Sequence, residues 1–286
     1  MKAVLCRFEA ALFENRRTMS LATMKKTAVT LLAMGAVLLS KGQLVLDNTM
    51  TPEQLVQNVL LGGGVNVSNI TFNGLPGNQT YIQVGSFNGT NSNLGMNTGV
   101  TLSSGEIIVA LGPNDIGYAD EPIGGLGTPG DADLAQALGG GFITLDAAVL
   151  EFDFVPSGDS LSFNYVFGSE EYLEWVGSSF NDVFGFFLSG PGISGPYTNN
   201  AANIAMVPGT NLPVAIDNVN DVVNSQFYVN NGDGNIAPYN ADSTYIQFDG
   251  FTTVLTARAL VQCGQTYHIK IAVADAGDPT HDSGVF

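Results

Sequence analysis

LEFDFVPSGDSLSFNYVF, residues 150–167, alternates apolar and polar side chains on both sides of a Pro-Ser-Gly interruption. Leu150, Phe152 and Phe154 alternate with Glu151 and Asp153, and Leu161, Phe163, Tyr165 and Phe167 alternate with Ser162 and Asn164. A period of two sends one set of side chains into a core and the other toward water, which is the grammar of a half-buried β-strand. The same grammar returns where Tyr267, Ile269, Ile271 and Val273 alternate with His268 and Lys270. Working outward, further strands are expected over residues 67–72, 81–84, 107–110, 183–188, 204–207, 245–248 and 252–261. Turn formers punctuate them at Asn73-Gly74, Asn88-Gly89, Asn231-Gly232-Asp233-Gly234 and Asp249-Gly250.

Only two segments read as helices. Residues 51–61 (TPEQLVQNVLL) have Thr51 to cap free amides, Pro52 at the first helical position and Gly62 to stop the run. Leu55, Val56, Val59 and Leu60 then form one apolar stripe. Residues 131–138 form a shorter turn, capped by Asp131 and ended by Gly139. Many strands, few helices and polar turns predict an all-β fold: an antiparallel β-sandwich with jelly-roll-like wrapping and one or two short helices.

Composition narrows the partners. The 286 residues carry 26 acidic and 9 basic side chains, for a net charge of −17. Seven of the basic residues precede position 43, so the body from Gln43 onward holds only Arg258 and Lys270 against 24 acids, a charge of −22. Phosphate backbones and anionic lipid need clustered lysine and arginine, so nucleic acid and anionic membranes are excluded as partners. Disorder is excluded as well, because 45% apolar content with 17 Phe and 9 Tyr is enough to build a core.

The amino end reads as a leader. Lys25-Lys26 precede the apolar run AVTLLAMGAVLL at residues 28–39, and Ser40-Lys41-Gly42 supply small residues around a cleavage point. The run is shorter than the roughly 20 residues that span a bilayer. Residues 1–42 are therefore expected to be a leader with a signal peptide, with Met24 the better start and cleavage after Gly42. Residues 43–286 are expected to form a single domain, secreted or held on the outer cell surface, with no transmembrane segment. Once Cys6 is removed with the leader, only Cys263 remains, so disulfides cannot hold this fold. The last residues, Asp282-Ser283-Gly284-Val285-Phe286, read as the opening of a strand, which predicts a truncated chain.

Two stretches depart from plain strand-and-turn patterning. One is FGSEEYLEW at 167–175, followed by SSFNDVFGFFL at 178–188; the other is AVADAGDPTHDSGVF at 272–286. Together with LVQNVLLGGGVNVS (55–68), SFNGTNSNLG (86–95) and NIAMVPGTN (203–211), they resemble the choice-of-anchor L domain of exported and surface proteins of Bacteroidota-type bacteria. The resemblance spans roughly residues 52–286. It implies a module of a secreted or surface-attached protein, with an anchoring or sorting domain of variable type that this chain lacks. It brings no catalytic residues.

Glu170, Glu171, Asp182, Asp275, Asp278 and Asp282 of these two stretches are the candidate site residues. Converging carboxylates repel one another, and a hard cation relieves the repulsion. Calcium takes six to eight oxygens from carboxylates, amides and backbone, so Ca2+ is the expected cofactor. The spacing is not that of an EF-hand loop. The competing reading makes these acids solvated turn residues that cap their own loops. Glu170-Glu171 can also be read as half of a glycosidase pair. No H-E-x-x-H, G-x-S-x-G or P-loop motif is present, and neither His268 nor His281 sits in a triad context. Tyr172 and Trp175 either stack on a sugar or plug a sandwich edge. The expected function is a secreted or surface binding or structural module of adhesion type, stabilised by calcium and without catalysis, whose ligand is an extracellular protein or glycan. The alternative is a secreted carbohydrate-active hydrolase using paired carboxylates.

Overall fold

A computed structural model describes residues 44–61, 65–232 and 243–286. The expected leader, the glycine stop at 62–64 and part of the 231–234 turn lie outside the described residues. Two mainly antiparallel sheets stack face to face, as the alternation predicts. The first sheet runs in the order β1 (Val45–Asp47), β4 (Val84–Asn88), β5 (Thr98–Ser103), β16 (Ser283–Val285), β8 (Phe167–Ser169), β13 (Gly250–Thr252), β12 (Tyr228–Asn230). The second runs β10 (Ala202–Asn203), β9 (Val183–Ser189), β15 (Tyr267–Ala276), β6 (Thr144–Val155), β2 (Asn66–Phe72), β3 (Leu75–Pro76), with β11 (Val214–Ala215) also on β9. A separate ribbon pairs β7 (Ser160–Tyr165) with β14 (Leu255–Leu260) over six residues.

The deciding stretch behaves as its period demands. On β6 and β15, Tyr267 faces Phe154, Ile269 faces Phe152 and Ile271 faces Leu150, all buried on the inner face. Their outward neighbours are polar: His268 opposes Asp153 and Lys270 opposes Glu151. β9 differs, because all seven of its residues are buried. Phe184, Phe186 and Leu188 enter the core between the sheets, while Val183 and Phe187 pack under Leu134 of the helix α2 (Ala132–Ala137). Each such aromatic contributes about 1.5–3 kcal/mol by leaving water, so the core dominates the stability of the fold.

Helix chemistry also follows the sequence. Thr51 Oγ1 accepts from Gln54 N and the Gln54 side chain accepts from Thr51 N, a reciprocal cap on α1 (Pro52–Leu55). The run then widens to a π-turn over Val56–Leu60 instead of continuing as α. Asp131 accepts from Asp133 N and Leu134 N at the start of α2.

Several expected strands are corrected. Residues 107–110 form a 3-10 turn, because Ile107, Val109 and Ala110 are buried together while Ile108 faces out, a pattern without period two. Residues 81–83 are not strand, and pairing begins only at Val84. Residues 204–207 and 245–248 make single bridges, Met206 with Pro213 and Ile246 with Leu111; beyond its bridge the first segment touches β9 through the Ile204 amide on Phe186 O without continuing as a ladder. The segment expected over 252–261 is split between β13 and β14, which belong to different sheets. Cys263 is free and exposed. No helix among the described residues is long and apolar enough to cross a membrane.

Candidate functional site: a buried carboxylate cluster

Each of the two unusual stretches carries the chain from one sheet to the other. β8 leads through residues 170–182 into β9, and β15 leads through residues 277–282 into β16. β8 and β16 are neighbours in one sheet, and β9 and β15 are neighbours in the other. The crossovers therefore run side by side. Glu170 and Glu171 leave β8, Asp182 enters β9, Asp275 closes β15 and Asp282 enters β16, so sheet order brings five acids to one region.

All five are buried, each with at most 1% of its surface exposed. The solvated-turn reading fails for them. Asp278 alone stays partly exposed, where its Oδ1 accepts from the Thr280 amide and hydroxyl.

Hydrogen bonds satisfy some of these oxygens. Asp182 Oδ1 accepts from Ala276 N at 2.8 Å and Oδ2 from Ser283 Oγ at 2.6 Å. Its own amide donates to Glu171 Oε2 at 3.4 Å. Asp282 Oδ2 accepts from Glu121 N at 2.7 Å, and Oδ1 lies 3.5 Å from Ser104 Oγ. Gly105 is required beside it, since a Cβ there would collide with the Asp282 carboxylate. Gly277, with φ +114°, turns the chain out of β15 against Ser179 and Phe180. Glu170 Oε2 accepts from Ala119 N at 3.2 Å, while Oε1 has no partner. Asp275 is the extreme case. Neither of its carboxylate oxygens has a hydrogen-bond partner, although Ser104 and Asp182 are its polar neighbours.

Burial disfavours the charged form of every one of the five, and at all but Asp182 neighbouring carboxylates add to it. Burial, then Asp182, pushes Glu171 up to about 11. Asp182 rises to about 7 through burial, against the hydrogen bonds from Ser283 and Ala276. Asp282 rises to about 8 through burial, opposed by the Glu121 amide and reinforced by Asp120, Asp182 and Asp146. Asp275 lies well above the carboxylate range through burial and then Asp182 and Asp282. Glu170 does so through burial and then Asp249.

Among the described residues, no basic side chain pairs with these five acids. The ion pairs among the described residues join His268 to Glu151 and Asp153, and Lys270 to Asp131 and Asp133. His281 is half-buried near Asp278 and Asp120, and burial lowers its imidazole pKa. Among the described residues, no three carboxylate, histidine or cysteine groups already stand in metal-holding geometry.

Sequence reasoning missed three more acids. Asp249 is fully buried and accepts from Asn114 Nδ2 at 2.9 Å. Asp146 is fully buried, with φ +48°, and its carboxylate takes the Leu126 and Thr128 amides. Asp120 lies close enough to raise Asp282. Asp249 carries the one visible signal, an Asp-Gly pair, which reads as a turn.

The aromatics plug the fold rather than line a platform. Tyr172 is buried against Tyr228, with ring centroids 4.9 Å apart, and Trp175 packs edge-on against Phe180. Cavities of about 460, 310 and 590 Å³ are lined by residues other than the five buried acids.

With this geometry in hand, comparison with known proteins gives the class. Residues 44–286 match the choice-of-anchor L domain, and the chain belongs to that family. It is a family of surface-associated domains of non-catalytic type. No curated protein and no solved structure matches the chain significantly.

Proposed function

We propose that this chain is an exported, surface-associated binding or structural module of adhesion type, and that its carboxylate cluster takes up calcium. The observation that carries the calcium reading is Asp275: a fully buried carboxylate with no well-formed hydrogen bond on either oxygen, with only the Ser104 hydroxyl close enough to offset Asp182, Asp282 and Glu171 around it. Burying a charge without a partner costs several kcal/mol, roughly, so the site needs either protons or a cation. Glu171, Asp182, Asp275 and Asp282 would hold the ion, with Glu170 beside them and Asp278 at the open edge. Calcium suits such a donor set because it accepts six to eight oxygens in irregular arrangements, whereas magnesium demands an octahedron. Bound there, it would neutralise the cluster and tie the two crossovers together. The hydrolase alternative is weaker, because a glycosidase must reach its sugar with both carboxylates and these are sealed from solvent.

Thermal melting in millimolar calcium against chelator, at matched ionic strength, tests the reading. At tenfold excess over Kd, binding to the native state alone adds about 1.4 kcal/mol. For a domain of this size that is a rise of about 3–6 °C. Identical curves would mean that protons alone hold the cluster.

A further inference from the structure

A second feature lies next to the cluster and is not used by it. Ile108, Leu111, Ile116, Tyr118 and Ile123 are exposed, with Tyr118 at 69% and Ile123 at 92%. All five line one depression of about 310 Å³. Exposed apolar side chains scattered singly need no explanation, but a contiguous group with a polar rim marks an interaction surface. The charged lining here is acidic, Asp115, Asp120 and Glu121, with Gln247 the other polar side chain.

The loop that presents these side chains is held in place. Five of its amides, those of Ala119, Glu121, Gly124, Leu126 and Thr128, donate to the carboxylates of Glu170, Asp282, Asp120 and Asp146. An apolar patch fixed before its partner arrives saves the ordering cost of binding.

Charge selects the occupant. No lysine or arginine occurs between Lys41 and Arg258, so the whole region around the patch is anionic. A second copy of the chain or an anionic lipid surface would be repelled by it. We infer that the depression lined by Ile108, Leu111, Ile116, Tyr118 and Ile123 docks an extended polypeptide segment whose apolar side chains are flanked by lysine or arginine. This rests on the reading of the chain as a binding module and supplies the chemistry of its partner. Apolar side chains fill the depression, and the basic residues meet the exposed acids Asp115 and Glu121, which steer the encounter and make it salt-dependent.

Fluorescence anisotropy with a labelled peptide of alternating leucine and lysine tests the assignment on the whole chain, in calcium and in chelator. Ile116→Ser with Ile123→Ser should weaken binding about tenfold, the equivalent of about 1.4 kcal/mol of lost apolar contact. Both side chains point to solvent, so the variant should melt with the parent. Leu260→Ser, at a residue 82% exposed on β14, should leave binding unchanged. Equal affinity of parent and double variant would overturn the assignment, as would equal binding of a leucine–glutamate peptide. So would a double variant that loses binding to zwitterionic vesicles while keeping the peptide, which would make the patch a membrane contact. Failure of the calcium reading shows in melting, whereas failure of this one shows only in the comparison of variants.

Discussion

Asp282→Asn separates the two ways of neutralising the cluster. The carboxamide can still accept from Glu121 N and can turn its amino group toward Ser104 Oγ, so the shape and most contacts of Asp282 survive. What disappears is one ionisable group. Its pKa rises from 3.8 to about 8, first by burial and then by Asp120, Asp182 and Asp146. Four units at about 1.4 kcal/mol each set a ceiling of about 6 kcal/mol on what ionisable Asp282 costs the fold at slightly alkaline pH without metal. The strain is shared among neighbours, so one substitution recovers a part. Recovery of about 2 kcal/mol would raise Tm by about 4–8 °C in chelator. In calcium the sign reverses in the comparison: the variant has lost a charged ligand, and its gain from calcium should shrink below that of the parent. Differential scanning calorimetry at pH 8, with calcium or chelator, reads both effects. A variant that melts lower than the parent by the same amount in both buffers would refute the reasoning, because the role of Asp282 would then be its hydrogen bonds and not its charge.

The pH dependence should be inverted relative to most acidic proteins. Asp182 and Asp282 have folded-state values of about 7 and about 8, above their unfolded values near 3.8. Below the unfolded value both states are protonated and the stabilisation from proton retention is fully present. As pH rises, the unfolded chain releases protons that the fold retains, so stability falls until the folded groups ionise. Melting in chelator should therefore drop steadily between about pH 4 and pH 8, and the calcium-induced gain should grow over the same interval; a flat profile would remove the cluster from the stability argument. Mass spectrometry of the exported protein should find its amino terminus at or within a few residues of Gln43, and an intact leader on the recovered protein would refute export by signal peptide.

Much of the sandwich was legible because its signal is local. Leu150, Phe152, Phe154 and the 267–273 strand announce their buried face by period alone, and Thr51 and Asp131 announce helix starts by their side chains. Residues 107–110 and 245–248 mislead because a run of four mostly apolar residues fits a strand, a 3-10 turn or a packed loop equally well. The candidate acids fall in the turns and at the strand ends of two stretches that the sequence marks as unusual. Their burial was not legible, because it depends on β8 pairing with β16 and β9 with β15 across more than 80 residues of sequence. Asp120 and Asp146 escaped notice for a related reason: they anchor a glycine- and proline-rich loop that has no period to read.

Sheet order also explains why acids occupy a place where apolar side chains would serve the core better. Replacing buried charges with well-packed apolar groups is commonly neutral or stabilising, so a five-acid cluster between sheets is not a device for stability by itself. Its members instead hold backbone amides at Ala119, Glu121, Asp182 and Ala276, which belong to three different segments of the chain. Every one of the five but Asp275 thus sits where a backbone amide must be held, and each adds charge that burial resists. One divalent ion would remove that conflict at every member at once, whereas protons must neutralise them one by one at a pH that a surface protein does not choose. The loop fixed by Glu170 and Asp282 is the one that carries Tyr118 and Ile123 to the surface. Calcium at the cluster and a basic, apolar partner at the patch would then act on opposite ends of the same set of hydrogen bonds.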